Sequence, residues 1–317
     1  MSRTYPADPA EGALRLFLGW FGGHFARSSR VVRSEAHDGV LQGVIEVGRR
    51  WELGFTVLDT LSGTAELPFA AARAAVEQRL DSAGHSILLW VPRGAPLPSA
   101  EPGLSEVVSA LEDAETLDDG RLQLRRPVKL YLRRTSTTGS VLTILGGLGA
   151  HWAQFTNRVP GSFQLNSAAL FRLPRAQEER DELAERIVLA AQQPEADDSQ
   201  VIDAQDCWSA NDLGEGGSCV MGTPRPETDE ESAALRRSLR SLLRVARESN
   251  LDDAPARALI VLGAATYAEE EKLSWALRGM DPTLYGGYDI VAIVADGLVK
   301  VLLEPPRNTL PWDVPLG

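Results

Sequence analysis

The chain has 317 residues, with 44% apolar, 24% charged and 6% aromatic side chains. This globular composition excludes wholesale disorder, a collagen-like repeat and a disulfide scaffold. The formal charge of −12 excludes a uniformly basic coat but leaves room for a local basic region. No apolar run approaches the roughly 18 residues of a membrane helix, and the N-terminal segment lacks the pattern of a signal peptide. The expected location is therefore the bacterial cytoplasm, with no membrane partner. Length suggests about two domains.

In chain order, residues 11–28 carry Leu14, Phe17, Leu18, Phe21 and Phe25 at helical spacing. Arg30–Glu35 and Val40–Val47 are rich in β-branched residues and flank the Asp38-Gly39 turn, and Trp51–Leu58 follows as a third strand. Pro68–Leu80 reads as a helix, His85–Val91 as a short buried strand and Leu104–Leu117 as a helix. Beyond them, Val128–Thr135 and Ser140–Leu145 surround a turn ending in Gly139, and Phe163–Leu165 and Leu170–Leu173 are candidate short strands. Arg175–Ala191 reads as a charged helix. After a proline- and glycine-rich acidic stretch come an amphipathic helix at Ser232–Arg247, strands at Ala258–Ala264, Tyr288–Ala295 and Leu298–Leu303, and a helix at Ala268–Leu277.

The fold expected from this order is α+β. The expected units are a mixed αβ domain over 1–120, a basic β-rich module over 121–175 and a helix over 176–192. An acidic linker or long loop over 193–231, a smaller αβ domain over 232–303 and a proline-rich extended tail over 304–317 complete the chain.

Charge is strongly segregated. Residues 121–175 hold nine cations and no acid, so the remaining 262 residues carry −21. Aromatic and amide side chains interleave these cations. Guanidinium groups grip phosphate, amides read base edges and aromatic faces stack on bases. The candidate nucleic-acid-binding residues are Arg121, Arg125, Arg126, Lys129, Tyr131, Arg133, Arg134, Trp152, Arg158 and Arg172. Residues 193–232 carry eleven acids against one base. This near-equal and opposite charge suggests masking of the basic module, or self-association through the two segments.

Catalytic motifs are sparse. No GxSxG elbow, P-loop, HExxH, EF-hand loop or GxGxxG occurs. The four histidines have no partner at ligand spacing, and Cys207 and Cys219 lie in no zinc motif. No cofactor is expected from these residues. The α-β-β-β-α-β order of residues 11–91 resembles the core of restriction-endonuclease-like nucleases, the PD-(D/E)XK group. That resemblance implies carboxylates on adjacent strands holding magnesium, with Glu35, Asp38 and Glu46 as the catalytic candidates and Asp38 and Glu46 as the metal ligands. Gly48 stands where the group has its lysine, which implies a degenerate member.

Three readings follow. The first is a non-catalytic regulatory protein that engages nucleic acid through the basic module. The second is a subunit or adaptor docking on an acidic protein surface. The third is a nuclease-like protein requiring magnesium.

Overall fold

The computed structural model describes residues 8–60, 67–92, 94–146, 158–193, 199–214, 216–222, 231–248, 254–263, 281–306 and 309–312. The class is α+β, with five helices and thirteen strands among the described residues. The chain divides into two compact units. Unit 1 combines Met1–Ser99 with Ala210–Gly317, and unit 2 is Ala100–Ser209.

Unit 1 opens with α1, Pro9–Phe25, whose first turn is capped by the Asp8 carboxylate accepting from the Ala10 amide at 2.8 Å. Strands β1 (Ser29–His37), β2 (Val40–Val47) and β3 (Trp51–Asp59) form an antiparallel meander. Then come α2 (Leu67–Ser82) and β4 (Ile87–Trp90). Unit 2 contributes α3 (Gly103–Glu112), β5 (Glu115–Thr116), β6 (Leu122–Ser136), β7 (Ser140–Leu145), β8 (Gly161–Asn166), α4 (Gln177–Gln192) and most of β9 (Gln200–Asp212). Back in unit 1 are β10 (Cys219–Met221), α5 (Glu231–Glu248), β11 (Arg257–Leu262), β12 (Ile290–Ala295) and β13 (Leu298–Leu303).

The larger sheet of unit 1 has the order β1-β2-β3-β11-β12-β13. Strands β11, β12 and β13, from the stretch expected as a smaller αβ domain over 232–303, thus share one sheet with the meander, because β11 runs parallel to β3 in unbroken register from Arg257↔Gly54 to Leu262↔Asp59. After Arg257, the run ALIVL of β11, like IVAIVA of β12, is apolar throughout because both faces of these strands are covered. Phe17 and Phe21 of α1 pack with Ile260 and Leu262 on one face, and Leu239 and Leu243 of α5 pack with Leu259 and Val261 on the other. Leu310 and Trp312 of the tail are buried with the α1 side.

The α-β-β-β-α-β order over residues 11–91 is present, but β4 does not join the meander. It pairs in parallel with β10, Leu88 opposite Cys219 and Trp90 opposite Met221. The place beside β3 belongs to β11, reached through α5. A four-residue apolar run records burial and not the identity of its partner.

The stretch expected to be a linker also differs. Residues 200–212 form β9, with Ile202, Ala204, Asp206 and Trp208 buried, and 219–221 form β10. Exposed Asp203 and Gln205 alternate with these inward residues, and this gives a strand the composition of a loop. Leu170–Leu173 is not a strand, although Leu170 and Leu173 are buried. The helix expected at Ala268–Leu277 lies outside the described residues.

In unit 2 the strand order is β9-β6-β8-β7, with β5 also paired to β6. Helix α4 supplies Leu183, Ile187, Val188 and Ala191 to a core shared with Leu130, Leu132, Phe163, Leu165, Ile202 and Ala204.

Gly43 marks the tightest backbone approach in the meander. A Cβ there would lie 2.0 Å from the Arg33 carbonyl oxygen, beside the register shift between Val31 and Arg33. Gly43→Ala should therefore cost about 1–3 kcal/mol in urea unfolding. Gly19→Ala on α1, with no atom within 4 Å of the new Cβ, should leave stability equal or raise it. Equal midpoints for wild type and Gly43→Ala would contradict this packing.

Candidate functional site

The basic residues of unit 2 do not form a free cationic surface, because acids just outside the basic window return to them. Residues 112–119 carry five acids and residues 178–185 of α4 carry five more. Arg125 donates to Glu179 of α4 (Nη2 to Oε1, 2.9 Å, with a second bond from Nη1) and to Glu115 at 2.7 Å. Its guanidinium is held more basic than usual, chiefly by the Glu179 bond, and the Glu179 carboxyl is correspondingly lowered. Arg158 makes a two-pronged pair with Glu185, one bond at 2.8 Å. Arg121, only 1% exposed, chelates Asp119, which Arg175 also approaches at 3.4 Å.

Three further candidates are built into the body of unit 2. The Arg126 guanidinium lies 4.2 Å from the centre of the buried Trp208 ring, and burial pushes its pKa down. Trp208 donates to the buried Asp206 carboxylate at 2.8 Å, which also accepts the Phe171 and Arg172 amides at 2.8 and 2.7 Å. Burial raises the Asp206 pKa against these bonds. Arg134 donates to the Ala191 carbonyl at 2.9 Å and lies over Phe163. Arg172 donates to Ser209 at 3.0 Å. Trp152 lies outside the described residues.

Lys129, Tyr131 and Arg133 remain together. They are exposed and alternate along β6 with the buried Leu130 and Leu132, so the pleat places them on the sheet face opposite α4. Across β8 and β7 the register extends this face in rows, Tyr131–Asn166–Leu145 and Arg133–Gln164–Thr143. On β9, exposed Val201, Asp203 and Gln205 alternate with the buried Ile202 and Ala204. Tyr131 is 44% exposed, Val141 55% and Leu145 44%. The amides were among the polar residues that interleave the cations in sequence, whereas the β7 apolar side chains were missed; their signal is the period-2 alternation of β7.

A recess of about 730 Å³ beside this strand is lined by Arg125, Lys129, Arg186, Glu179, Glu182 and Asp203, among others. Its cations and anions balance, so it selects neither sign. Of the described acids of the acidic stretch, Asp203 lines this recess with Arg125 and Lys129, Asp206 is buried and acts on Arg126, and Asp212 caps the Gly214 amide.

The three carboxylates suggested by the nuclease resemblance do not converge. Asp38 sits at the β1–β2 turn in left-handed backbone and pairs with His37 at 3.2 Å. Glu46 lies at the far end of β2, eight residues away and about 26 Å along a strand, where Arg30 takes both its oxygens at 3.0 Å. Glu35 is exposed on β1 opposite Gln42. Among the described residues no three metal-ligating side chains cluster. Cys207 and Cys219 are free, buried thiols. Burial pushes Cys207 up to about 12 and raises Cys219 further, which opposes thiolate chemistry. Among the described residues, no helix is long and apolar enough to cross a membrane. Comparison with known protein families, characterised proteins and solved structures finds no match.

Asp119 supplies a pH test of the charge pairing. Arg121 holds its carboxyl at about 2, below the ordinary 3.8. A depressed carboxyl contributes stability above its unfolded pKa and loses it as pH falls towards the folded value. Stability should therefore decline between pH 4 and 2, and Asp119→Asn should lower stability at pH 7 and flatten that decline. Parallel pH profiles for the two proteins in acid-unfolding experiments would count against the pairing.

Proposed function

We propose that this is a non-catalytic binding protein whose uncovered sheet face in unit 2 engages single-stranded nucleic acid. The observation that carries the reading is the exposed row Lys129–Tyr131–Arg133 on a face that α4 does not cover. An aromatic ring on an open sheet offers a stacking platform for an unpaired base, cations two residues to either side reach the flanking phosphates, and amides such as Gln164 and Asn166 present donors and acceptors to base edges. The ion-paired Arg121, Arg125 and Arg158 position this sheet instead of contacting phosphate.

The reading fixes a shallow salt dependence. With two phosphate-contacting cations, log K against log salt should have a slope near −1.4 for a single strand. Use of most of the nine cations would give a slope near −6. Fluorescence anisotropy with a labelled oligonucleotide at low salt measures this. Tyr131→Ala should weaken binding by about 1–3 kcal/mol, and Arg158→Gln should leave it unchanged. Absence of binding to any single-stranded DNA or RNA would sink the proposal.

A second reading has its own observation. β7 ends the strand order and exposes Val141 and Leu145. An extended segment of a protein partner could add to that edge through main-chain hydrogen bonds, with alternate side chains meeting these two residues. Val141→Lys should abolish such a contact and leave oligonucleotide binding intact.

A further inference from the structure

Unit 1 carries a cationic row of a different kind. Residues 232–247 contain five arginines and no acid. Arg240, Arg244 and Arg247 are exposed at helical spacings of four and three along α5, opposite the buried Leu239, Leu243 and Ala246. Their register is fixed from beneath, because the Gln42 side chain donates to the Ala246 carbonyl at 2.8 Å and to Thr56 at 3.1 Å. Whereas Arg121, Arg125 and Arg158 each hold a carboxylate, these three guanidiniums make no ion pair among the described residues. Like charges at these spacings repel, so the row is a preformed site for negative charge.

The row is also concave. Arg240, Arg244, Arg247, Asp281 and Leu284 line a recess of about 550 Å³, within the usual range for small-molecule sites. Asp281 is fixed by accepting the Thr283 amide at 3.0 Å, which caps the short 3₁₀ turn Pro282–Leu284. That amide, aided by Arg247, keeps its carboxyl below the ordinary range and thus ionised. A carboxylate in the wall opposes a phosphodiester strand running through the recess, but it accepts hydrogen bonds from hydroxyl or amine groups. Leu284 adds an apolar contact.

We propose that this recess binds a small polyphosphorylated organic molecule of the nucleotide class. Arg240, Arg244 and Arg247 take the phosphates through charge-assisted, two-pronged hydrogen bonds, Asp281 accepts from the sugar or base, and Leu284 contacts the base. The site is independent of the open sheet of unit 2.

The test is calorimetric titration of the full chain with ATP and, separately, with inorganic triphosphate at low salt. Both should bind saturably. Arg240→Gln/Arg244→Gln should weaken both at least tenfold while the melting temperature stays within a few degrees. Asp281→Asn should weaken ATP and spare or strengthen triphosphate, a split that general charge attraction does not produce. Tyr131→Ala should change neither. No saturable ATP binding at millimolar concentration overturns the proposal. So does ATP binding indifferent to the arginine substitutions, or arginine-dependent binding of an oligonucleotide that ATP fails to displace.

Discussion

The pairing of Arg125 on β6 with Glu179 on α4 sets the character of unit 2. It draws the start of the helix to the strand, and the same helix neutralises Arg158 through Glu185. Each such pair is solvated in part or in full and contributes little stability by itself. Its larger effect is on which charges remain available. A stretch with nine cations and no acid becomes a nearly compensated body once the flanking acids fold back on it, and only Lys129 and Arg133 stand on the open face.

The two units thus treat arginine differently. In unit 2 the guanidiniums act as structural parts: Arg121 closes a turn on Asp119, Arg126 covers Trp208 and Arg134 holds the end of α4. In unit 1 the arginines of α5 face outward along a helix whose opposite side is sealed into the core by Leu239 and Leu243. Surface chemistry follows the covered faces of the sheets more closely than the linear density of charge.

Much of the local structure was legible in the sequence. The Asp38-Gly39 turn, the β-branched content of β2 and the apolar runs of β11 and β12 each carry the turn chemistry or composition of their element. Pairings were not legible. The union of β3 with β11 joins residues some 200 positions apart, and nothing in ILLW distinguishes a neighbour of β3 from a neighbour of β10. β9 was hidden because one of its faces meets water and its buried face includes a carboxylate, Asp206, satisfied by three N–H donors. Of the ten proposed nucleic-acid contacts, Lys129, Tyr131 and Arg133 lie together on the open face, because alternation along one strand is local. The fate of the other arginines depended on α4, whose approach is tertiary. The α5 row was visible as arginines three and four apart, but it was overshadowed by the leucines that share the helix.

The most direct measurement of the charge account is an NMR titration of arginine Nε–Hε signals with a single-stranded oligonucleotide. The pairing described here predicts that the Arg121, Arg125 and Arg158 resonances are protected from exchange in the free protein and unmoved by the ligand, while Arg133 shifts. Ligand-induced shifts at Arg125 and Arg158, with Arg133 unchanged, would show that the ion pairs open to meet phosphate and would contradict the account.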